Sequence, residues 1–508
     1  MTLVASGVML DYRTLERKIG AAGVKKIKKI FTIVTLGHNN TSKMISACKI
    51  IGTAGNVDGP CYISIPRFGG FMLQRMGIVE NINNRLLAGE DRDFSNAKYI
   101  LTDNQAVILG YLMKTIYTPE NIKLGSSSTI LQMDPGHGKT YQVLGLMSRI
   151  KKKTFIIVPN TYLLKQWGDI VSAAFPSLMV GYYYGTKKVD GDIIISIINS
   201  ALNYKEYSKC GLIVYDEVHM YCSKKFASIF STAQAACCIG ITATPFDRID
   251  KFDPVAHWAL GQVIKSSSVP GWNTTASEFN TKVTRVIYGG PPEHTKVIES
   301  AAGIVSVPLM INQLQLDPHR NALIVAYAIK MYLSGLNVFI FSDRREHLHL
   351  LAKLLEDAKI CFEAPELNDA AAPELNGATM TTIKKLMGGS TDEDIKMATS
   401  VGRIIMTTYQ YSGTGVSINK MNALILATPR KSGMKQILGR IYRLSGDQSI
   451  TRRIVDIVDN RICLKSQFYV RKKTYIDILK GTSIVDHNIK WESAVNVKTA
   501  LATLNALE

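Results

Sequence analysis

The feature that most constrains the fold is a repeated alternation of short apolar runs with longer amphipathic stretches. Between about residues 98 and 261 there are five apolar runs, all rich in β-forming residues, at 128–133, 154–159, 192–197, 211–217 and 237–243. Continuous apolar runs with helical segments between them are typical of parallel strands covered on both faces. A second series begins near Asn321, with runs at 337–342, 402–408, 422–428 and 449–458. The sequence therefore predicts an α/β protein with two successive lobes built on parallel sheets.

The rest of the chain predicts three further parts. The first hundred residues contain a basic segment at 24–30 and a piece punctuated by Gly and Pro at 61–76, which together indicate a small α+β accessory domain. The basic segment suits either nucleic-acid binding or a merely solvated helix face. A stretch rich in Ser, Pro and Gly reads as a linker or small insertion. The predicted domains are an accessory domain at 1–97, lobe 1 at 98–265, the linker or insertion at 266–310, lobe 2 at 311–480 and a C-terminal tail at 481–508.

The charge balance points to a polyanionic partner. Sixty Lys and Arg residues against 41 Asp and Glu give a formal net charge of +19, which favours nucleic acid, with a basic surface that only aids solubility as the alternative. The eight cysteines form no CxxC pair, so we expect neither a zinc site nor a disulfide framework, but a reducing intracellular compartment. The N-terminus does not read as a signal peptide, and the apolar runs are shorter than the roughly 20 residues of a membrane span. We therefore expect no membrane association.

A phosphate-binding loop follows the first apolar run of lobe 1. The segment Met133–Thr140 reads MDPGHGKT and precedes an amphipathic stretch, which is the strand–loop–helix context that such a loop requires. Gly136 and Gly138 allow the backbone N–H groups to turn toward a triphosphate. Lys139 is then predicted to contact the β- and γ-phosphates of ATP, and Thr140 to ligate Mg²⁺.

A pair of acidic residues ends the fourth run. Asp216 and Glu217 stand at the end of an apolar run roughly 75 residues after the phosphate loop, and His219 follows them. An aspartate in this position can hold Mg²⁺ through water, and the adjacent glutamate can orient and deprotonate the attacking water. Alone, such a pair is usually a solvated turn, but after a phosphate loop it indicates ATP hydrolysis.

Two more motifs complete an ordered set. They are Thr242-Ala-Thr244-Pro, about 25 residues beyond the acidic pair, and Gln436-Ile-Leu-Gly-Arg440-Ile-Tyr-Arg443 in lobe 2. The order GKT, DEVH, TAT and QxxGRxxR resembles the motif set of superfamily 2 helicases, in its DExH branch, and the resemblance extends from about Leu101 to Tyr475. It implies two tandem RecA-like lobes that hydrolyse ATP between them while they hold nucleic acid.

The resemblance also implies roles for individual residues. Gln105 stands where the family has a glutamine that reads adenine. Arg440 and Arg443 stand where it has finger arginines for the γ-phosphate, and which of the two is the main finger stays open. His219 and Gln436 are expected to link the nucleotide state to lobe closure. The residues expected to couple ATP to the strand or to contact nucleic acid are Thr242, Thr244, Pro159, Thr161, Gln166, Thr408, Gly413 and Gly415.

Within superfamily 2, the core and the ISIPRFGGF-like piece near the N-terminus resemble the transcript-release helicases of poxviruses and their African swine fever virus relative. Two departures stand out. Met133 replaces the small residue usual at the start of the phosphate loop, where it is expected to crowd the turn, and Ser417 replaces an aspartate common in relatives. The second departure puts in doubt how that motif couples ATP to the strand, but not hydrolysis.

Three functions remain open at this point. The chain can be a strand-separating helicase or RNA-releasing motor, a translocase that moves on duplex without unwinding it, or a clamp that binds ATP without hydrolysing it. Intact Lys139, Glu217 and both arginines argue against the clamp. The resemblance favours DNA over RNA, and it implies the transcription machinery as a partner and the host cytoplasm or the virion as the location. We expect a monomer.

Overall fold

The computed structural model describes residues 2–4, 7–36, 42–52, 60–243, 251–273, 280–300, 303–358, 382–412, 418–442, 449–460, 462–478 and 482–507. The chain divides into two compact units, Met1–Thr274 and Thr275–Glu508. Among the residues so described, no helix is both long and apolar enough to cross a membrane.

The N-terminal part of the first unit is α+β and has an apolar core of its own. Its strands are β1 (Thr2–Val4), β2 (Gly7–Asp11), β3 (Thr32–Leu36), β4 (Ser42–Ser46), β5 (Lys49–Ile51), β6 (Tyr62–Ile65) and β7 (Asn83–Asn84), and its helices are α1 (Tyr12–Ile30) and α2 (Arg67–Arg75). Five strands form a sheet in the order β5-β6-β2-β1-β7, and β3 and β4 form a separate hairpin. Side chains such as Val8, Leu10 and Ile63 are fully buried in the core of this part.

The rest of the first unit is the predicted lobe 1. Its strands are β8 (Ser128–Gln132), β9 (Thr154–Val158), β10 (Val180–Tyr184), β11 (Lys187–Val189), β12 (Ile193–Ile197), β13 (Leu212–Asp216), β14 (Cys237–Thr242) and β15 (Val263–Lys265). Its helices are α3 (Asp103–Thr115), α4 (Pro119–Leu124), α5 (Lys139–Ile150), α6 (Thr161–Ala174), α7 (Ile198–Ala201), α8 (Ile229–Thr232) and α9 (Pro254–Leu260).

The eight strands of lobe 1 lie in the order β11-β10-β12-β9-β13-β14-β8-β15. All neighbours are parallel except β10 and β11. Along β9, Phe155 and Ile157 enter one apolar core while Ile156 and Val158 enter another, so both faces of the sheet are covered. This double burial is why each strand reads as a continuous apolar run, and the predicted parallel α/β lobe is confirmed.

The second unit contains another parallel sheet. Its strands are β16 (Thr281–Gly289), β17 (Val338–Ser342), β18 (Ile383–Leu386), β19 (Ile404–Thr408), β20 (Ala423–Leu426), β21 (Arg452–Asp459) and β22 (Ser483–Lys490). Its helices are α10 (Val307–Leu314), α11 (Pro318–Leu333), α12 (Arg345–Asp357), α13 (Asp392–Ser400), α14 (Tyr409–Ser412), α15 (Met434–Leu438), α16 (Ile462–Ile478) and α17 (Val497–Asn505). The strand order is β18-β19-β17-β20-β21-β16-β22.

Two of the predicted boundaries need correction. Within 266–310, predicted to be a linker or small insertion, the segment Thr281–Gly289 is strand β16 and pairs in parallel with both β21 and β22. Within 481–508, predicted to be a tail, Ser483–Lys490 is the edge strand β22, and α17 packs against α11. Both segments therefore belong to the second α/β unit, because their backbone hydrogen bonds and apolar side chains complete its sheet and core. The other predicted boundaries stay predictions.

Candidate functional site

The phosphate loop connects β8 to α5, as the sequence predicts. Gly136 has φ 87° and Gly138 has φ 78°, a left-handed conformation that favours glycine. A Cβ on Gly138 would lie only 2.1 Å from Nε2 of Gln105. Lys139 and Thr140 occupy the first turn of α5, where the free backbone N–H groups of a helix attract anions. The loop can therefore hold a phosphate group against its backbone and Lys139.

The two flanks of this loop are held by buried residues. Met133 is fully buried in the apolar core, and its N–H donates a 3.0 Å hydrogen bond to the carbonyl of Thr242 at the end of β14. On the other side, the amide of Gln105 accepts from the N–H of Thr102 at 2.9 Å and donates to the carbonyl of His137 at 3.1 Å. Gln105 thereby joins the start of α3 to the phosphate loop, while its contact with adenine stays a prediction.

The acidic pair stands at the end of β13. Asp216 is buried, with 6% of its surface exposed. Its Oδ1 accepts from the N–H of Glu217 at 2.9 Å, and its Oδ2 accepts from Nε1 of Trp167 at 2.8 Å. Burial, with the neighbouring charge of Glu217 as the second cause, raises the pKa of Asp216, and the positive charge of Lys139 opposes this shift. A nearby cation would therefore stabilise the charged carboxylate.

Glu217 has an unusual backbone conformation. Its φ of 48° and ψ of 50° place it in the left-handed region, which costs a residue with a Cβ about 1–2 kcal/mol. The turn redirects the chain from β13 into a 3₁₀ helix at Val218–Tyr221. Such strain is typical of functional positions, where the surrounding structure enforces it.

The carboxylate of Glu217 and the side chains of His219 and Thr242 lie close together. Nδ1 of His219 is 2.8 Å from Oγ1 of Thr242 and 3.4 Å from Oε2 of Glu217. Oε2 itself is buried and has no hydrogen-bond partner among the described residues. A buried carboxylate oxygen without a donor is poised to accept a hydrogen bond from a bound water. Thr242 is thus linked to Glu217 through His219, and the expected coupling of Thr242 to the bound strand stays a prediction.

The topology of the sheet explains this clustering. Strands β13, β14 and β8 are neighbours and parallel, so Asp216, Thr242 and the phosphate loop all follow carboxyl ends at one edge of the sheet. Adjacent strands lie about 4.8 Å apart, which brings all three ends within roughly 10 Å. Binding sites in open parallel sheets typically form at this edge. Carboxylate and hydroxyl oxygens of Asp216 and Thr140 are also ligands that suit Mg²⁺.

Strand β9 ends on the same edge and leads into α6. Pro159 is half-buried, and Asn160 caps the helix by accepting from the N–H of Leu163 at 2.9 Å. Thr161 is exposed at the first position of α6, and Gln166 is half-buried one turn further. These placements leave Thr161 accessible to a nucleic-acid backbone, which stays a prediction. No local sequence pattern indicates that Trp167, next to Gln166, donates a hydrogen bond to Asp216.

The second unit carries the remaining predicted residues. Thr408 ends β19 and is buried, and its Oγ1 accepts from the N–H of Tyr411 at 3.2 Å. Gln436 is half-buried in the short helix α15, and Arg440 follows that helix with 9% of its surface exposed. The predicted site residues outside the described part of the chain are Thr244, Gly413, Gly415 and Arg443, and Ser417 also lies there.

One basic residue near the C-terminus is buried, although its sequence neighbours are also basic. The cluster Arg471, Lys472 and Lys473 reads as a basic surface in the sequence, but Arg471 is 1% exposed. Its Nε and Nη2 each donate at 2.8 Å to the carboxylate of Asp456, which is also buried. The sequence could not show this pairing, because Asp456 lies inside the apolar run of β21. Arg471 is a buried ion-pair partner and cannot extend a nucleic-acid surface.

Comparison with known proteins agrees with this site. Residues 98–247 match the family of the type III restriction enzyme, res subunit. QP509L of African swine fever virus (isolate Tick/Malawi/Lil 20-1/1983), whose name gives it as an ATP-dependent RNA helicase, is 30% identical over 373 residues, which cover 68% of each chain. The transcript termination protein A18 of fowlpox virus (strain NVSL) is 23% identical over 367 residues, covering 66% of this chain and 70% of the relative.

A likeness to a solved structure supports the fold. The fragment structure of an HsdR subunit of a type I restriction enzyme from Vibrio vulnificus matches with a TM-score of 0.50 and 14% identity, covering 93% of this chain and 84% of that chain. The predicted RecA-like architecture is confirmed at this level. Given its sequence relatives and its matching family, the chain belongs to the superfamily 2 helicases, in the group with these viral relatives, and is an ATP-dependent nucleic-acid helicase.

Proposed function

We propose that this helicase moves along DNA and uses that movement to release transcripts. The observation that carries ATP hydrolysis is the cluster at the sheet edge: the loop before Lys139, the buried Asp216 and the buried Oε2 of Glu217, which accepts no hydrogen bond from the described residues. Net charge of +19 supports a nucleic-acid substrate. Transcript release is supported by the likeness to a poxvirus protein named for transcript termination, and DNA is proposed because it is the template from which such a transcript would be released.

Each residue of the first unit has a distinct task in this proposal. Lys139 and the loop N–H groups bind the β- and γ-phosphates. Thr140 and Asp216 would hold Mg²⁺, which supplies charge neutralisation on the phosphate oxygens. Oε2 of Glu217 accepts a proton from the attacking water. His219 holds Thr242 at 2.8 Å and so links the strained turn after Asp216 to the end of β14.

In this proposal the second unit supplies the positive charges that stabilise the transition state of ATP hydrolysis. Arg440 and Arg443 would donate to the γ-phosphate as charge develops on it, a contribution of about 10³–10⁵ in rate. Gln436 would contact the bound nucleotide as well, and so link the nucleotide state to lobe closure. Thr408, Gly413 and Gly415, with Thr244 of the first unit, would transmit the nucleotide state to the bound strand. These assignments rest on the motif order in the sequence.

The ATPase rate with different nucleic acids tests the proposed function. Rates are measured with no nucleic acid, single-stranded DNA, duplex DNA and single-stranded RNA, and Glu217→Gln serves as the inactive control. Strong stimulation by DNA with little by RNA is expected. Stimulation mainly by RNA would contradict the choice of DNA and favour the RNA helicase that the name of the African swine fever virus relative suggests.

A duplex translocase that does not unwind is the second candidate, and strand displacement separates it from the first. A fluorescent oligonucleotide annealed beside a single-stranded tail is released by an unwinding motor but stays annealed with a translocase. We expect release that requires ATP. A partnership with transcription machinery and a location in the host cytoplasm or virion are further proposals that follow from the viral relatives. A monomeric state is a separate proposal.

A further inference from the structure

Helix α6 connects two predicted functions through one side chain. Its first residue, Thr161, is exposed at the sheet edge where we expect nucleic acid. Six residues further, roughly 9 Å along the helix axis, Trp167 is 2% exposed and donates from Nε1 to Oδ2 of Asp216 at 2.8 Å. A residue on the predicted nucleic-acid helix therefore contacts the carboxylate that we assign to Mg²⁺.

This hydrogen bond helps to fix the orientation of the carboxylate. Oδ1 of Asp216 accepts from the N–H of Glu217 at 2.9 Å, and Oδ2 accepts from Trp167. One donor on each oxygen restricts rotation about the Cβ–Cγ bond. Both donors leave further lone pairs on the oxygens, because each carboxylate oxygen can accept more than one hydrogen bond or ligand. The indole thus sets the direction in which those lone pairs point.

The choice of acceptor argues against a purely structural role. Several buried tyrosine hydroxyls of the first unit donate to backbone carbonyls instead: that of Tyr117 donates to Cys238 at 2.8 Å, and that of Tyr207 donates to Ala201 at 2.7 Å. Carbonyls are sufficient to satisfy a buried donor. Trp167 instead donates to a carboxylate at the functional end of β13.

Helix α6 is packed so that it would move as one body. Leu163, Leu164 and Val171 are buried in the same core as Trp167. Gly168 lies so close to the hydroxyl of Tyr182 on β10 that a Cβ there would be 2.2 Å from it. A displacement at Thr161 would therefore be carried to Trp167 rather than absorbed inside the helix.

We propose that Trp167 is a positioning residue that couples nucleic-acid binding at the start of α6 to the orientation of the Asp216 carboxylate. When nucleic acid contacts the N-terminus of α6, the helix shifts the indole N–H and with it Oδ2 of Asp216. The carboxylate oxygens that would hold Mg²⁺ would thereby be turned into the orientation needed for turnover. This inference rests on the proposed function. It identifies the structural connection through which bound nucleic acid would stimulate ATP hydrolysis.

The test compares Trp167→Phe with Tyr117→Phe in the full chain. The first change keeps an aromatic side chain and removes the donor to Asp216. The second removes one buried donor from the same apolar core without touching Asp216. Three quantities are measured: the ATPase rate with and without nucleic acid, the Mg²⁺ concentration that half-saturates binding of a fluorescent ATP analogue, and nucleic-acid affinity by anisotropy.

We expect Trp167→Phe to reduce the stimulated rate more than the basal rate and to raise the half-saturating Mg²⁺ concentration. Both effects should be on the order of tenfold, as for other groups that orient metal ligands. Nucleic-acid affinity should stay within about twofold, because the exposed contacts of α6 remain. Tyr117→Phe should change neither the stimulation ratio nor the Mg²⁺ dependence.

Several results would overturn the inference. If both variants changed the stimulation ratio and the Mg²⁺ dependence equally, Trp167 would have only a packing role. If Trp167→Phe left the Mg²⁺ dependence unchanged, or lowered the basal and stimulated ATPase rates equally, the proposed coupling would be contradicted. A wild-type chain that no nucleic acid stimulates would instead overturn the proposed function, whereas a stimulated wild type with an unaffected variant overturns this inference alone.

A second measurement does not depend on the stability of the variant. The chain has four tryptophans, so the wild-type indole N–H signals can be assigned by replacing Trp258, Trp272 and Trp491 in turn and taking the remaining signal as Trp167. Addition of single-stranded DNA should shift the Trp167 signal. A signal that stays unchanged at saturating DNA would contradict movement of the indole.

Discussion

At the scale of single residues, the site depends on a few positions that the backbone holds under constraint. Glu217 is left-handed at φ 48°, and its Oε2 has no hydrogen-bond partner among the described residues. The turn after β13 therefore positions the proposed base, and Nδ1 of His219 lies 3.4 Å from its Oε2. The charge of Glu217 should then matter for turnover more than for folding.

Glu217→Gln should bind ATP with near-normal affinity but turn it over at least about 10²-fold more slowly, because an amide cannot accept the proton from water. The free energy of unfolding should change little, since the two side chains have the same shape. Single-turnover ATPase and equilibrium nucleotide binding measure the two effects. Rapid hydrolysis by this variant would remove Glu217 from the role of base.

Gly138→Ala should impair nucleotide binding beyond its cost in stability. A left-handed Ala costs about 1–2 kcal/mol wherever it stands, but at Gly138 the new Cβ also meets Nε2 of Gln105 at 2.1 Å. Gly335→Ala is the matched control, because Gly335 has φ 81° with open space around it. Both variants should lose stability in chemical denaturation, Gly138→Ala at least as much as Gly335→Ala, and only Gly138→Ala should lose ATP affinity. Equal ATP affinity in the two variants would contradict the clash.

At the scale of elements, the continuous apolar runs predict most strands of the two sheets, but they predict neither the partly exposed strands nor the polar contacts between distant elements. The runs at 154–159 and 211–217 are β9 and β13, because burial on both faces leaves a continuous apolar signature. Strand β16 largely alternates buried and half-buried residues within a stretch rich in Ser, Pro and Gly, so its sequence carries no continuous apolar run that would predict a strand. The bond from Trp167 to Asp216 joins residues 49 positions apart, which no local pattern can reveal.

Short motifs predict which residues form the site, but they do not predict the contacts that hold those residues in place. The loop ending at Lys139 and the pair Asp216–Glu217 are read from short segments, because their chemistry is local. Their supports are tertiary: Gln105 contacts His137 from another helix, and His219 reaches Thr242 on the next strand. Contacts of this kind can be identified only once the strand order is known.

Helix α2 shows that the N-terminal part is joined to lobe 1 by more than apolar contact. Arg67 is 1% exposed, and its guanidinium donates to the carbonyls of Gly125, Ala235 and Ala236. Removal of residues 1–95 would therefore leave three buried carbonyls without this donor. A deletion is a poor test of nucleic-acid binding by this part, because it disturbs the lobe as well.

Arg67→Ala should lower the free energy of unfolding of the first unit by roughly 3 kcal/mol, since buried polar groups that lose their partners each cost about 1–3 kcal/mol. Arg75→Ala is the matched control, because Arg75 is exposed at the end of the same helix. Chemical denaturation of the full chain measures both. A loss below about 0.5 kcal/mol would show that the carbonyls find other partners, such as water.

At the scale of the whole molecule, the net charge of +19 makes a prediction about salt. Contacts to a nucleic-acid backbone release counterions, so the logarithm of affinity should fall linearly with the logarithm of salt concentration. The slope counts the phosphates that the protein neutralises, and it does not depend on base sequence. Titrations at several salt concentrations therefore separate a real nucleic-acid surface from a basic surface that only aids solubility.

The salt dependence can also test whether one particular surface binds nucleic acid. Helix α1 is a suitable surface, because its Lys25, Lys26 and Lys29 are exposed. Their joint replacement by Glu lowers the net charge from +19 to +13, and replacement of the exposed Lys353, Lys396 and Lys498 of the second unit changes it equally. If α1 lies on nucleic acid, the first variant should lose affinity and flatten the salt slope by about one unit per lost phosphate contact, while the second keeps most of the slope. Identical slopes in both variants would mean that only total charge matters, and the accessory domain would then have no specific part in holding the strand.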